Sequence, residues 1–150
     1  MQDGSDQDIA QAPLAADPLA VLPGYALRRA ANVMMAELSA RMADAGLRVG
    51  DASVLLLVEG RNDMTSSLIG KALDIQRANM VRLLARMESL GLVTRAPIDR
   101  KSIAVVLTPL GAEALEQARA IIQDFEEDLM ARIPARHRDH FLPALNALWQ

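Results

Sequence analysis

The stretch from Asp74 to Gly91 limits what this chain can fold into more than any other. Met80, Leu83, Leu84 and Met87 recur at i, i+3, i+4 and i+7, the apolar stripe of an amphipathic helix. The opposite face carries Ala78, Arg82, Ala85 and Ser89, with Asn79, Val81 and Arg86 on its flanks. Such a face suits two roles. One is an ordinary solvated surface with its arginines in water. The other is entry into a DNA major groove, which needs little bulk, Arg for phosphate or guanine, Asn for adenine and an apolar atom for a thymine methyl. Gly91 ends the helix, because glycine enters the left-handed C′ position without steric cost, and Leu92 supplies the hydrophobic contact beyond it.

The residues that follow narrow the choice. Leu92-Val93-Thr94-Arg95 reads as a short strand, residues 96–102 as a tight charged loop, and Ile103-Ala104-Val105-Val106-Leu107 as a second, β-branched strand. A helix, a strand, a basic hairpin tip and a returning strand describe a winged helix-turn-helix. On these residues the chain resembles the MarR family of bacterial transcription regulators. The resemblance is carried by Arg77 to Arg82 in the helix and Gly91-Leu92-Val93 with Arg95. It continues through Asp99-Arg100-Lys101 at the wing and Leu107-Thr108-Pro109-Leu110-Gly111 leaving it. It extends over residues 24–149.

The resemblance implies a mainly α fold with a small β-wing: a winged helix-turn-helix at 51–108, flanked by dimerisation helices at 24–46 and 109–149, within one domain over 19–150. It implies DNA contacts by Ser66, Gln76, Arg77, Ala78, Asn79, Val81, Arg82, Arg86, Arg95, Asp99, Arg100 and Lys101. The chain departs from the family pattern at three places. Lys101 stands where many members have Arg, and a lysine cannot make the forked contact of an arginine. The wing is shorter than the commonest version, and Ala78 replaces a frequent Ser.

Composition bears on the core and on the charge. Apolar residues make up 51% of the 150 and aromatics only 3%, so the core is expected to be aliphatic and Met-rich, which favours helix packing. With no cysteine, disulfides, thiolate metal sites and a Cys nucleophile are excluded, in keeping with a cytoplasmic protein. The N-terminus lacks the basic start of a signal peptide, and no apolar run is long enough to cross a membrane. A net charge of −3 seems to oppose DNA binding until it is divided along the chain. Residues 1–17 hold four Asp and no Lys or Arg, whereas residues 61–108 hold eight basic and four acidic side chains. For a polyanion partner the local field outweighs the global sum.

In chain order, residues 1–18 are polar and acidic without apolar periodicity and are expected to form a disordered tail. A helix is expected from Tyr25 to Ala45, with Gly46 as its stop. Asp51 is expected to cap a helix over Ala52 to Glu59. Thr65 or Ser66 starts a short helix whose core face is Leu68 and Ile69. Thr108-Pro109 reads as N-cap plus N1 of a long helix to about Arg132, with Leu110, Ala114, Leu115, Ala118, Ile121, Ile122, Phe125 and Leu129 buried. A last helix spans Ala135 to Trp149, kinked or split at Pro143.

Catalytic and metal motifs are absent from the sequence. His137 and His140 stand at i, i+3 without a third ligand in view, so no metal site is expected. Gly70-Lys71 ends like a phosphate-binding loop, but Ala72 replaces the required Ser/Thr and Thr65 stands in place of the first Gly. No enzyme and no cofactor are expected. The family resemblance implies an effector pocket near the dimerisation helices, often for aromatic acids or their coenzyme A thioesters. Arg28, Arg29 and His137 are the cations offered to an anionic ligand, the alternative being surface charge or salt bridges. The reading is a homodimeric repressor on a pseudo-palindromic double-stranded operator, released by a small molecule. The competing readings are a winged-helix module that binds protein, and a DNA-binding regulator that answers to no ligand.

Overall fold

A computed structural model describes residues 17–150. The expected acidic tail lies outside the described residues but for its last two positions. The described residues form six helices and one hairpin in order: α1 Pro23–Asp44, α2 Val49–Val58, α3 Ser66–Ala72, α4 Arg77–Ser89, β1 Val93–Pro97, β2 Ile103–Leu107, α5 Pro109–Arg132 and α6 Ala135–Asn146. The described chain divides into two compact units between Glu37 and Leu38, inside α1. Among the described residues no helix is long and apolar enough to cross a membrane.

The unit from Leu38 onward has one core. Met42, Leu47, Val54, Leu55, Val58, Met64, Ile69, Met80, Leu84, Met87, Leu92, Val93, Val105 and Leu115 bury against one another. It is aliphatic and Met-lined, as the composition requires. Phe125 is buried outside that cluster, with the Arg41 guanidinium 5.6 Å from its ring centroid. β1 and β2 pair antiparallel from Val93↔Leu107 to Pro97↔Ile103. On its other edge β2 is held by the Val105 N–H, which donates to the Met64 carbonyl at 2.8 Å.

Two junctions fix the ends of α4. At its start, Asp74 takes a left-handed turn at φ 52°, which a short polar side chain tolerates. At its end, Gly91 sits at φ 71°, and the Leu92 N–H donates to the Met87 carbonyl at 3.0 Å. Thr108 then ties the base of the hairpin. Its hydroxyl donates to the Gly91 carbonyl and also accepts from the Gly111 N–H at 2.9 Å, the N-cap bond of α5. A Cβ on Gly111 would lie 1.9 Å from the Leu92 carbonyl oxygen, so only glycine fits there.

Several expectations need correction. α2 begins at Val49 with Arg48 as N-cap, and Asp51 lies inside the helix at N3, fully buried. Its carboxylate reaches back to the Arg48 N–H at 2.8 Å, the acidic half of a capping box. Leu68 and Leu110, expected inside, are exposed. α6 continues through Pro143 and stops at Asn146.

Candidate nucleic-acid interface

α4 buries Met80, Leu84 and Met87 and leaves Arg77, Ala78, Asn79, Val81 and Arg82 exposed, along with its N-cap Gln76. The geometry follows from helical spacing: the buried set marks one stripe and the exposed set the other side. At the hairpin tip Arg100 and Lys101 are exposed. Among the described residues, no carboxylate is ion-paired with Arg77, Arg82, Arg100 or Lys101. These charges therefore stand ready for an anionic partner.

Between α3, α4 and β1 lies a concavity of about 750 Å³. Ser66, Gln76, Arg77, Val81 and Arg95 of the expected contact set line it. So do Ser67 and Lys71, which are not among the expected contacts. Lys71 was legible as a lysine in the last turn of the short helix before the turn, but nothing in its spacing pointed toward α4.

Three residues of the expected set are occupied within the protein. The Arg86 guanidinium donates to the buried Asp51 carboxylate, so it is drawn away from the exposed face. Removing one partner of a buried pair costs about 3–5 kcal/mol, because the other charge is left behind. Arg95 Nε donates to Glu88 Oε1 at 2.5 Å, a half-exposed pair that ties β1 to α4. Such a pair is worth about 0–1 kcal/mol, which makes it an orienting contact and leaves Arg95 available to the groove. Asp99 Oδ1 accepts the Lys101 and Ser102 N–H groups at 2.7 and 2.8 Å, shaping the tip. Those two bonds hold its carboxyl below the usual carboxylate range.

Arg29 Nη1 donates to Asp17 Oδ2 at 3.1 Å and its guanidinium lies 5.8 Å from the Tyr25 ring centroid. Arg28 is exposed. His137 is exposed and its Nε2 accepts from Arg136 Nε at 3.0 Å. None of them lines the groove of about 640 Å³ formed by Arg41, Asp44, Ala45, Gln117, Ala120, Ile121 and Asp124. There the cation is Arg41, which also meets Asp128 at 2.6 Å.

Comparison with known proteins matches this architecture. The family model for MarR proteins matches residues 45–102. The transcriptional repressor CouR, in its structure bound to a 23-mer DNA duplex, is 31% identical over 88% of this chain and 95% of that one, with a TM-score of 0.78. The chain belongs to the MarR family. A transcriptional regulator of that family from Rhodococcus sp. RHA1 shares the fold at 21% identity and a TM-score of 0.73, over 83% of this chain and 90% of that one. A candidate transcriptional regulatory protein for the hcr operon of Thauera aromatica is 24% identical over 107 residues, 70% of this chain. This MarR chain spans 64% of that relative's length.

Proposed function

We propose that this MarR family chain is a homodimeric repressor that reads a pseudo-palindromic operator and lets go when a small effector binds. The observation that carries the reading is the unpaired basic set on the exposed side of α4 and at the wing tip. α4 supplies base contacts through Asn79 and Arg82, where the major groove presents a distinct pattern for each base pair. Arg77, Lys71, Ser66, Ser67 and Gln76 position the helix on the phosphates, and Arg100 and Lys101 extend the contact along the backbone. CouR, solved bound to a 23-mer DNA duplex, supports duplex DNA as the partner by its likeness in fold and sequence. Action on chromosomal DNA is in keeping with a cytoplasmic protein.

Dimerisation is supported by apolar surface that finds no cover among the described residues. α6 buries none of its residues, and Leu142, Leu148 and Trp149 are exposed. α1 buries only Met42, leaving Leu27, Val33 and Met35 exposed. Surface of this kind marks an interface, and two-fold pairing of α1 and α6 sets the spacing of two reading helices on two half-sites.

CouR has been solved bound to p-coumaroyl-CoA. We assign the effector of this chain to the groove at Arg41, whose volume suits a small aromatic acid. Arg41 replaces Arg28, Arg29 and His137 as the anion contact because it is the arginine lining that groove. Selection of bound duplexes from a random pool, followed by release with salicylate and p-coumaroyl-CoA, tests the reading. An operator that is bound tightly and released by either compound is the expected result. Absence of salt-dependent duplex binding overturns it.

A further inference from the structure

Among the described residues Asp51 is the fully buried charged one, with 0% exposure. Its Oδ2 accepts from two directions. The Arg48 N–H, at 2.8 Å, comes from the start of α2. The Arg86 guanidinium comes from α4. Its other oxygen, Oδ1, is buried without a partner among the described residues. As a stabiliser this arrangement is poor, because a well-packed apolar pair would hold two helices together at least as well and leave no acceptor unmet. What a carboxylate–guanidinium contact adds is direction, since its hydrogen bonds weaken steeply when either partner turns.

α4 needs that direction. Its stripe of Met80, Leu84 and Met87 is flexible or smooth apolar surface, and thioether side chains adapt to small shifts. Such packing resists separation of α4 from the core more than rotation about its own axis, which is left to two polar ties, the half-exposed Arg95–Glu88 pair and the Arg86 contact with the fully buried Asp51. Arg86 lies seven residues beyond Asn79, two turns along the same flank to within about 20°. Arg82 is one turn before Arg86. Any rotation that withdraws Arg86 from Asp51 therefore turns Asn79 and Arg82 by the same angle.

We propose that Asp51 is a positioning residue for sequence discrimination: through Arg86 it fixes the rotation of the reading helix α4 against α2. The proposal rests on the DNA-binding reading above. Asp51 itself touches no DNA, and Arg86 is excluded from the contact set. Arg48 follows directly on the turn at Gly46 and Leu47 that closes α1, so the same carboxylate also ties the pose of α4 to the end of α1.

Two variants test it. Asp51→Asn keeps the volume and removes the charge. Asp51→Leu with Arg86→Met replaces the pair by apolar groups and leaves no buried charge, so it is expected to fold even if the single change is not tolerated. The probes are the tightest duplex selected from a random pool by the wild-type chain, and a shuffled duplex of the same length, each at several salt concentrations. Folded variants are expected to bind the shuffled duplex within about twofold of wild type with the same salt slope. Their preference for the selected duplex falls about tenfold. A folded double variant with wild-type preference overturns the proposal, because the pair is then only structural. Failure of both variants to fold has the same consequence. A wild-type chain without salt-dependent duplex binding removes the DNA reading first, and this proposal with it.

Discussion

Helices α4 and α6 are both amphipathic, yet they end differently. α4 buries three large side chains of its stripe against the core, whereas α6 buries none. The apolar residues of α4 are covered by α2, α3 and the hairpin, and Arg77, Asn79 and Arg82 are left exposed. α6 shows Leu142 to solvent and carries Phe141 and Leu145 only half covered. The contrast separates two uses of one pattern. The covered stripe backs the proposed reading surface. The uncovered stripe is the one proposed to meet a second copy.

The largest effect is expected where the contrast is broken at α6. Leu142→Glu with Leu145→Glu puts two charges on the uncovered stripe. A monomer by sedimentation is expected, with operator affinity down about a hundredfold or more as two linked half-sites become one. A dimer that survives both charges would detach α6 from the interface. On the covered stripe, Leu84→Ala removes a fully buried side chain and is expected to cost about 2–5 kcal/mol in denaturant unfolding. A loss below about 1 kcal/mol would mean that the core collapses around α4 and does not grip it.

The free side of α4 is expected to give the next effect. Asn79→Ala lowers affinity for the selected operator by about 1–3 kcal/mol while sparing random duplex. Arg100→Ala weakens all duplexes alike and lowers the salt slope by about one unit. If Arg100→Ala changes sequence preference more than Asn79→Ala does, helix and wing have exchanged roles. The smallest effect is local to the tip. Asp99 has its pKa depressed by the Lys101 and Ser102 N–H bonds, so its contribution to tip order is present above the ordinary value of 3.8 and is lost as pH falls below it. Amide shifts of Lys101 and Ser102 that stay constant through that range would remove Asp99 as the organiser of the tip.

Much of this was legible in the sequence, and the misses share a cause. The stripe of α4, the stop at Gly91 and the Thr108-Pro109 start of α5 are local signals, and each appears in the structure. Asp51 was misplaced because a carboxylate is favoured at both N-cap and N3, where it accepts from different backbone N–H groups. What identifies its place is a guanidinium 35 residues away. The pairing of Arg86 was illegible for the same reason, since its spacing fits the exposed flank and only the fold brings Asp51 beneath it. Leu110 follows the helical period of α5, but it stands beyond the end of α4 and is left exposed. Residue type and spacing report which face a side chain prefers; they do not report what arrives on that face from elsewhere in the chain.

The tie at the base of the hairpin has a consequence for how this architecture can vary. Thr108 closes Gly91 and Leu92 onto the start of α5, with Gly111 seated against the Leu92 carbonyl. Everything between Val93 and Leu107 is thus an excursion whose two ends meet at a fixed clasp. Residues 98–102 can be lengthened, shortened or exchanged for a loop of another sequence while the frame that holds the reading helix keeps its shape, because loop length adds closure cost only slowly. Wings become interchangeable parts: transplanting the tip of a longer-winged relative onto this clasp would change how far the protein reaches along the DNA backbone while leaving the bases read by α4 the same.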